Sequence, residues 1–274
     1  MKQQNGITYR KLPGISAQGL RIWGLVFLLL GALGYGVFGN ALIPSYGVDA
    51  EGFSQAPLSM VSVGSILQII YYCAIPVFSF LLVEGVKHTV NVKAYAIRVA
   101  VLALATELPY NLCMTGKVLG AISFEGGLHF DMSGFTLNPV FGTLLCLVLL
   151  IFFKQYADKG AKNIFIKVMV WLVAFLWVSM LHIDEANRML VIVPVLWIFR
   201  NKKSMQVFLG CMATLLSCIF NMSTLAFIGC CVAPLTFMLV HFYNGEPGES
   251  NKVINYLACP AIFLAIGLLA KFAI

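Results

Sequence analysis

The stretch A-I-P-V-F-S-F-L-L-V-E-G-V-K-H-T-V-N-V-K-A-Y-A-I-R, residues 74–98, decides how the chain is read. It ends an apolar run that starts near residue 60 and reaches residue 87. At 1.5 Å per residue such a helix is about 40 Å long, more than the ~30 Å hydrocarbon core of a bilayer. Pro76 predicts a kink within it. Glu84 lies about one turn from its basic end, and His88 follows four residues later, on the same helix face. A carboxylate at mid-bilayer depth costs about 2.5–3.5 kcal/mol on insertion scales, so it is expected to be paired or functional.

The rest of the chain has the same character. Of its 274 residues 60% are hydrophobic and only 11% charged, with a mean hydropathy of +0.91; a soluble domain carries about 25% charged residues. The expected fold is an all-α integral membrane bundle forming one domain over residues 1–274. Nine spans are expected, at 20–42, 60–87, 93–114, 137–153, 164–182, 187–200, 204–221, 223–243 and 253–273. The sixth is short, which leaves open eight spans with a re-entrant segment there. The first apolar run exceeds the roughly 7–15 residues of a signal-peptide core, so an uncleaved first helix is expected.

Charge orients the bundle. With the N-terminus inside and strict alternation, only Lys117, Arg188 and Lys271 fall outside, so fifteen of the 18 basic residues face inward. The net charge of +7 therefore reports membrane orientation and not nucleic-acid binding. The eight cysteines lie mostly inside apolar runs without a C-x-x-C spacing, and read as small buried hydrophobes. No phosphate-cradling glycine motif occurs in the inner loops.

Several polar groups stand out. Glu84 and His88 read as an acid/base pair in which the carboxylate fixes the imidazole tautomer; the alternative pairs Glu84 with Arg98 and leaves His88 at the interface. Glu107 lies nine residues beyond Arg98, deep in the third span, followed by Pro109 and Asn111 in E-L-P-Y-N. It should face the bundle interior or a wet cavity. Asn138, before Pro139 in N-P-V-F-G-T at 138–143, suits a helix cap. His182, Asp184, Glu185 and Arg188 read as a solvated outer turn, and His129 and Asp131 as solvated loop residues; no metal site is expected. F-Y-N-G-E-P-G at 242–248 reads as a tight turn around Asn244, a helix terminator or a contact for a soluble cofactor. The aromatic residues are assigned to interface belts and helix packing.

Taken in order, these elements resemble the TraX family of multipass membrane proteins, named for a pilin N-acetylase. P-V-F-S-F-L-L-V-E-G-V-K-H-T at 76–89 is the most specific match. E-L-P-Y-N, N-P-V-F-G-T and F-Y-N-G-E-P-G follow in family order. The resemblance implies acetyl transfer from acetyl-CoA, in a bacterial inner membrane, to an amine or hydroxyl of an exported polypeptide or surface acceptor. It implies His88 as base or acyl-accepting group, Glu84 as its orienter and Arg98 as an anion partner. Glu107, Asn111, Asn138, Thr143 and Asn244 are its supporting positions. Where many members carry Asp-His before I-G-Y, this chain reads Gly31-Ala32-Leu33-Gly34-Tyr35. Where many carry Y-P-x-H, it reads Cys259-Pro260-Ala261-Ile262. Those departures keep in view a non-catalytic scaffold descended from such an enzyme, and Glu107 and Arg98 between proline-broken helices keep in view a small-solute transporter.

Overall fold

Long runs of Leu, Val, Ile, Phe and Ala leave no water-facing stripe, and in lipid only a helix satisfies every backbone donor and acceptor internally. A computed structural model of the protein describes residues 14–48, 54–116, 122–123, 129–130, 136–158, 160–220, 223–249 and 252–272. Among them, nine helical segments follow one another: α1 (Ala17–Ser45), α2 (Leu58–His88), α3 (Val92–Thr115), α4 (Pro139–Gln155), α5 (Ala161–Leu181), α6 (Ala186–Ile198), α7 (Lys203–Phe220), α8 (Thr224–His241) and α9 (Lys252–Phe272). Seven are long and apolar enough to cross a membrane; α4 and α6 are shorter apolar helices. The expected polytopic bundle is what the chain forms.

Two irregularities interrupt the long helices. The helix of α2 is interrupted by a turn at Tyr72 and Cys73. Pro76 has no N–H to offer the Tyr72 carbonyl, so the last turn before it tightens. In α1, residues 33–42 (L-G-Y-G-V-F-G-N-A-L) form a π-helical stretch. Gly34 packs against the backbone of Gln68 there, and Gly36 against Cys113 and Ile266.

Two backbone bridges sort the ends of the helices. Leu137, before α4, pairs with Ile183, after α5. Ile15, before α1, pairs with Tyr243, after α8. Strict alternation puts each pair at one end of the bundle, as observed. The Ile15 end also holds Lys87, Arg200 and Lys203, and is called the basic end below. Turn 242–248 caps α1 there: Ala17 and Gln18 donate to the carbonyls of Glu246 and Pro247 at 2.9 and 3.2 Å, and Ile15 to that of Phe242 at 2.8 Å. The Ala17 and Gln18 donors belong to the first turn of a helix and have no partner within it. Gly245 and Gly248 give the turn its left-handed residues, at φ of 83° and 73°.

The short α6 forms the centre. Leu190, Val193 and Leu196 are fully enclosed by α2, α4, α5 and α7. It starts beside the Leu137 end and finishes at Arg200 on the basic end, so it traverses the bundle and does not double back. A second apolar cluster joins α1, α3 and α9 through Leu28, Tyr110, Phe263 and Ile266. The outer surface is apolar, most plainly on α5, where Leu172, Val173, Leu176 and Trp177 are exposed, as lipid-facing helices require.

Candidate functional site

The C-terminal half of α2 carries Glu84 into a recess at the basic end. The carboxylate is buried, 8% exposed. Its Oε1 lies 2.8 Å from His88 Nε2 and 3.2 Å from Lys87 Nζ. The Tyr243 hydroxyl also bonds to it; burial, together with the Glu84 charge and that bond, pushes the phenol up to about 12. A buried carboxylate needs this many donors, because an unpaired one forfeits its hydration without return. The recess encloses about 240 Å³ between Glu84, Lys87, Arg200, Lys203, Asn244 and Gly245. Lys203 donates to the Tyr243 carbonyl at 2.7 Å, and Arg200 stacks 4.1 Å above the Trp197 ring. The mostly exposed His88 sits outside this lining and touches it through Glu84. Asn244 closes one side; its Oδ1 accepts from the Glu246 N–H at 2.9 Å.

Arg98 is not there. It lines a separate cavity of about 330 Å³ bounded by α1, α2, α3, α4, α6 and α9, with Arg21, Tyr95, Asn255 and Tyr256 beside it. The alternative pairing of Glu84 with Arg98 is therefore not formed; Glu84 is taken by Lys87, His88 and Tyr243. Thr143 lines the same cavity as Arg98, its hydroxyl bonded to the Pro139 carbonyl at 3.3 Å.

The remaining expected site residues form a third group. Glu107 accepts from Asn111 Nδ2 at 3.1 Å, from Asn138 Nδ2 at 2.6 Å and from the Asn138 backbone N–H at 3.1 Å. Asn138 also caps α4, accepting from the Val140 N–H at 2.9 Å, and donates to the Ala103 carbonyl at 2.8 Å. The cap reading of Asn138 and the inward-facing Glu107 thus become one clasp between α3 and α4. Its members bond to one another and do not meet Glu84.

One expectation is overturned. His182 is exposed as expected, but Asp184, Glu185 and Arg188 are not a solvated cluster. Tyr110 and Tyr71 donate to Asp184 Oδ2 at 2.6 and 3.4 Å. Arg188 is buried, pairs with Glu185 and lies 4.4 Å above the Tyr72 ring. The Tyr35 and Tyr72 hydroxyls are 3.0 Å apart. Burial pushes the Asp184 carboxyl above the usual carboxylate range, against the opposing pull of Tyr110, Arg188 and Tyr71. The available signal was Arg188 itself, a cation three residues into an apolar helix and three from Glu185. Expected loop residues 117, 125 and 131 lie outside the described residues, as does the side chain at 129. Among the described residues, no group of three or more His, Cys, Asp or Glu is arranged to hold a metal.

Comparison with protein families gives a match to the TraX protein model over residues 50–270. The chain belongs to the TraX family. No curated protein and no solved structure matches it. The matched TraX region contains the recess around Glu84, the Glu107–Asn138 clasp and turn 242–248.

The Gly31-Ala32 and Cys259–Ile262 stretches have a physical setting. Gly31 lies against α2. A Cβ added to it would collide with the Cβ of Tyr71 and stand 2.8 Å from its Cα. Ala32 is fully buried beside Tyr110 and Phe263, and Ile262 packs onto the same apolar cluster. At both stretches this chain packs the helices together and fills the space with hydrocarbon and tyrosine.

Proposed function

We propose that this TraX protein is a membrane acyltransferase. It moves an acetyl group from acetyl-CoA at the cytoplasmic face to an amine or hydroxyl of an exported polypeptide or surface acceptor. The observation that carries the reading is the 2.8 Å contact between His88 Nε2 and Glu84 Oε1, beside a recess holding Lys87, Arg200 and Lys203. The positive-inside distribution of Lys and Arg supports placing this end in the cytoplasm.

The chemistry follows from the contact. The Glu84 carboxylate accepts a hydrogen bond from Nε2–H, so the neutral ring keeps its lone pair on Nδ1. Nδ1 takes the acceptor's proton as its nitrogen or oxygen attacks the thioester carbonyl. The carbon–sulfur bond breaks, and the proton passes from the imidazolium to the departing thiolate. Thioester and acceptor become acylated acceptor and free thiol. Three cations against one carboxylate leave the recess net positive, which suits the phosphates of the donor.

The test is turnover of acetyl-CoA by purified protein. His88→Ala and Glu84→Gln should each slow it by a factor of about 10²–10⁴, while wild-type rates in both variants would overturn the assignment. A second reading, a non-catalytic scaffold, is favoured by one observation: Gly31 and Ala32 are sealed into helix packing. It predicts no acetyl-CoA turnover by the wild type. It also predicts no thermal shift, whereas a ligand at a hundredfold excess over Kd stabilises by about 2.7 kcal/mol.

A further inference from the structure

The larger cavity differs in kind from the Glu84 recess. Its mouth, on the N-terminal side of α1 and α3, holds two guanidinium groups. Among the described residues neither meets a carboxylate: Arg21 reaches the Gln18 side-chain oxygen at 3.4 Å, and Arg98 bonds to the Ala94 carbonyl at 3.0 Å. Tyr95, Asn255 and Tyr256 add polar groups around them. Beyond the mouth the walls are apolar, built from Leu25, Leu28, Phe78, Leu81, Leu102 and Val140. Polar atoms reappear at the other end, on Tyr71, Thr143 and Glu185. The eleven residue steps of α2 between Tyr71 and Leu82 put the length at about 16 Å, at 1.5 Å per residue. The volume of about 330 Å³ falls in the range of small-molecule sites, roughly 300–1,000 Å³.

We propose that this cavity binds a phosphate-headed amphiphile, its head at Arg21 and Arg98 and its chain running toward Tyr71 and Thr143. A free anion would leave the apolar length unused, and a neutral lipid would leave two guanidinium groups unanswered. Arginine is suited to the head because its planar fork meets two phosphate oxygens at once. Two sources supply this chemistry: an anionic phospholipid from the bilayer, and a CoA thioester from the aqueous phase. The inference is independent of the His88 chemistry, since neither Glu84 nor His88 lines this cavity.

The experiment uses the full chain in detergent and reads binding by native mass spectrometry and by the unfolding midpoint. The probes are phosphatidylglycerol, acetyl-CoA, diacylglycerol and inorganic phosphate. Phosphatidylglycerol or acetyl-CoA should bind, and the other two should not. The double variant Arg21→Gln/Arg98→Gln should weaken that binding at least tenfold. Leu102→Trp, which fills the cavity from a half-buried position, should weaken it too. His88→Ala and Glu84→Gln should leave phosphatidylglycerol binding unchanged. Phosphatidylglycerol binding lost in the arginine variant assigns the site to lipid. Acetyl-CoA binding lost there assigns it to the thioester, and moves the donor away from the Glu84 recess. Binding of neither amphiphile, equal binding in wild type and arginine variant, or equal binding of inorganic phosphate overturns the proposal.

Discussion

Glu84 Oε1 and His88 Nε2 lie 2.8 Å apart, one helical turn separating their backbones. The two side chains should act as a unit. Removing a positioned general base typically costs a factor of about 10²–10⁴, and losses within such a unit do not add. The double variant Glu84→Gln/His88→Ala should therefore transfer acetyl no more slowly than the slower single variant. Multiplied losses in steady-state rates would show that the two groups act separately.

Tyr243 holds the other side of the carboxylate. Tyr243→Phe keeps the ring packed on Phe80, 5.3 Å between centroids, and removes only the hydroxyl. The expected loss is about 0.5–1.5 kcal/mol of stability, typical of one hydrogen bond. Because the phenol is raised to about 12 in the folded protein, against an ordinary value near 10, the folded state holds its proton longer than the unfolded state. The contribution is full below pH 10 and disappears as pH rises from 10 to 12. The stability difference between wild type and Tyr243→Phe, measured against pH, should close over that window.

The Glu107–Asn138 clasp carries its own expectation. Asn138→Ala removes a helix cap and two side-chain bonds to α3, leaving a half-exposed Glu107 with fewer donors. A loss of about 1–3 kcal/mol is expected, read from unfolding in detergent. Acetyl-CoA turnover at temperatures where the variant stays folded should remain near that of the wild type, because the clasp does not touch Glu84.

Asp184 works in the opposite sense to a surface carboxylate. Its carboxyl is raised by burial, so the folded state takes up a proton before the unfolded state does. Stability should rise as pH falls through the interval between its raised value and the ordinary carboxylate value near 4. Asp184→Asn should flatten that rise while leaving Tyr110 and Tyr71 an oxygen to bond. Unfolding midpoints of the two proteins across acidic pH provide the comparison.

The helices and their order were legible because hydropathy alone marks an apolar helix; length marks a span for seven of them, and not for α4 and α6. Glu84 with His88, and Asn138 as a cap, were legible because each depends on neighbours within four residues. The partner of Glu107 was not, since Asn138 lies 31 residues away and its approach depends on how α3 meets α4. The Asp184 network was hidden for the same reason. Tyr35, Tyr71, Tyr72 and Tyr110 sit on three different helices, and each alone looks like an interfacial aromatic. A turn rich in charge looks solvated until packing shows what covers it.

Gly31 bears on how function can be moved between relatives. The absent Cβ lets α1 and α2 approach until Tyr71 occupies the space. A side chain at position 31 requires the two helices to stand farther apart, with Gly34 and Gln68 one turn on separating as well. An aspartate placed at position 31 of this chain would meet a wall. Installing a polar side chain there would take a refitted pair of helices, and a single-residue swap would read as a dead end for geometric reasons alone.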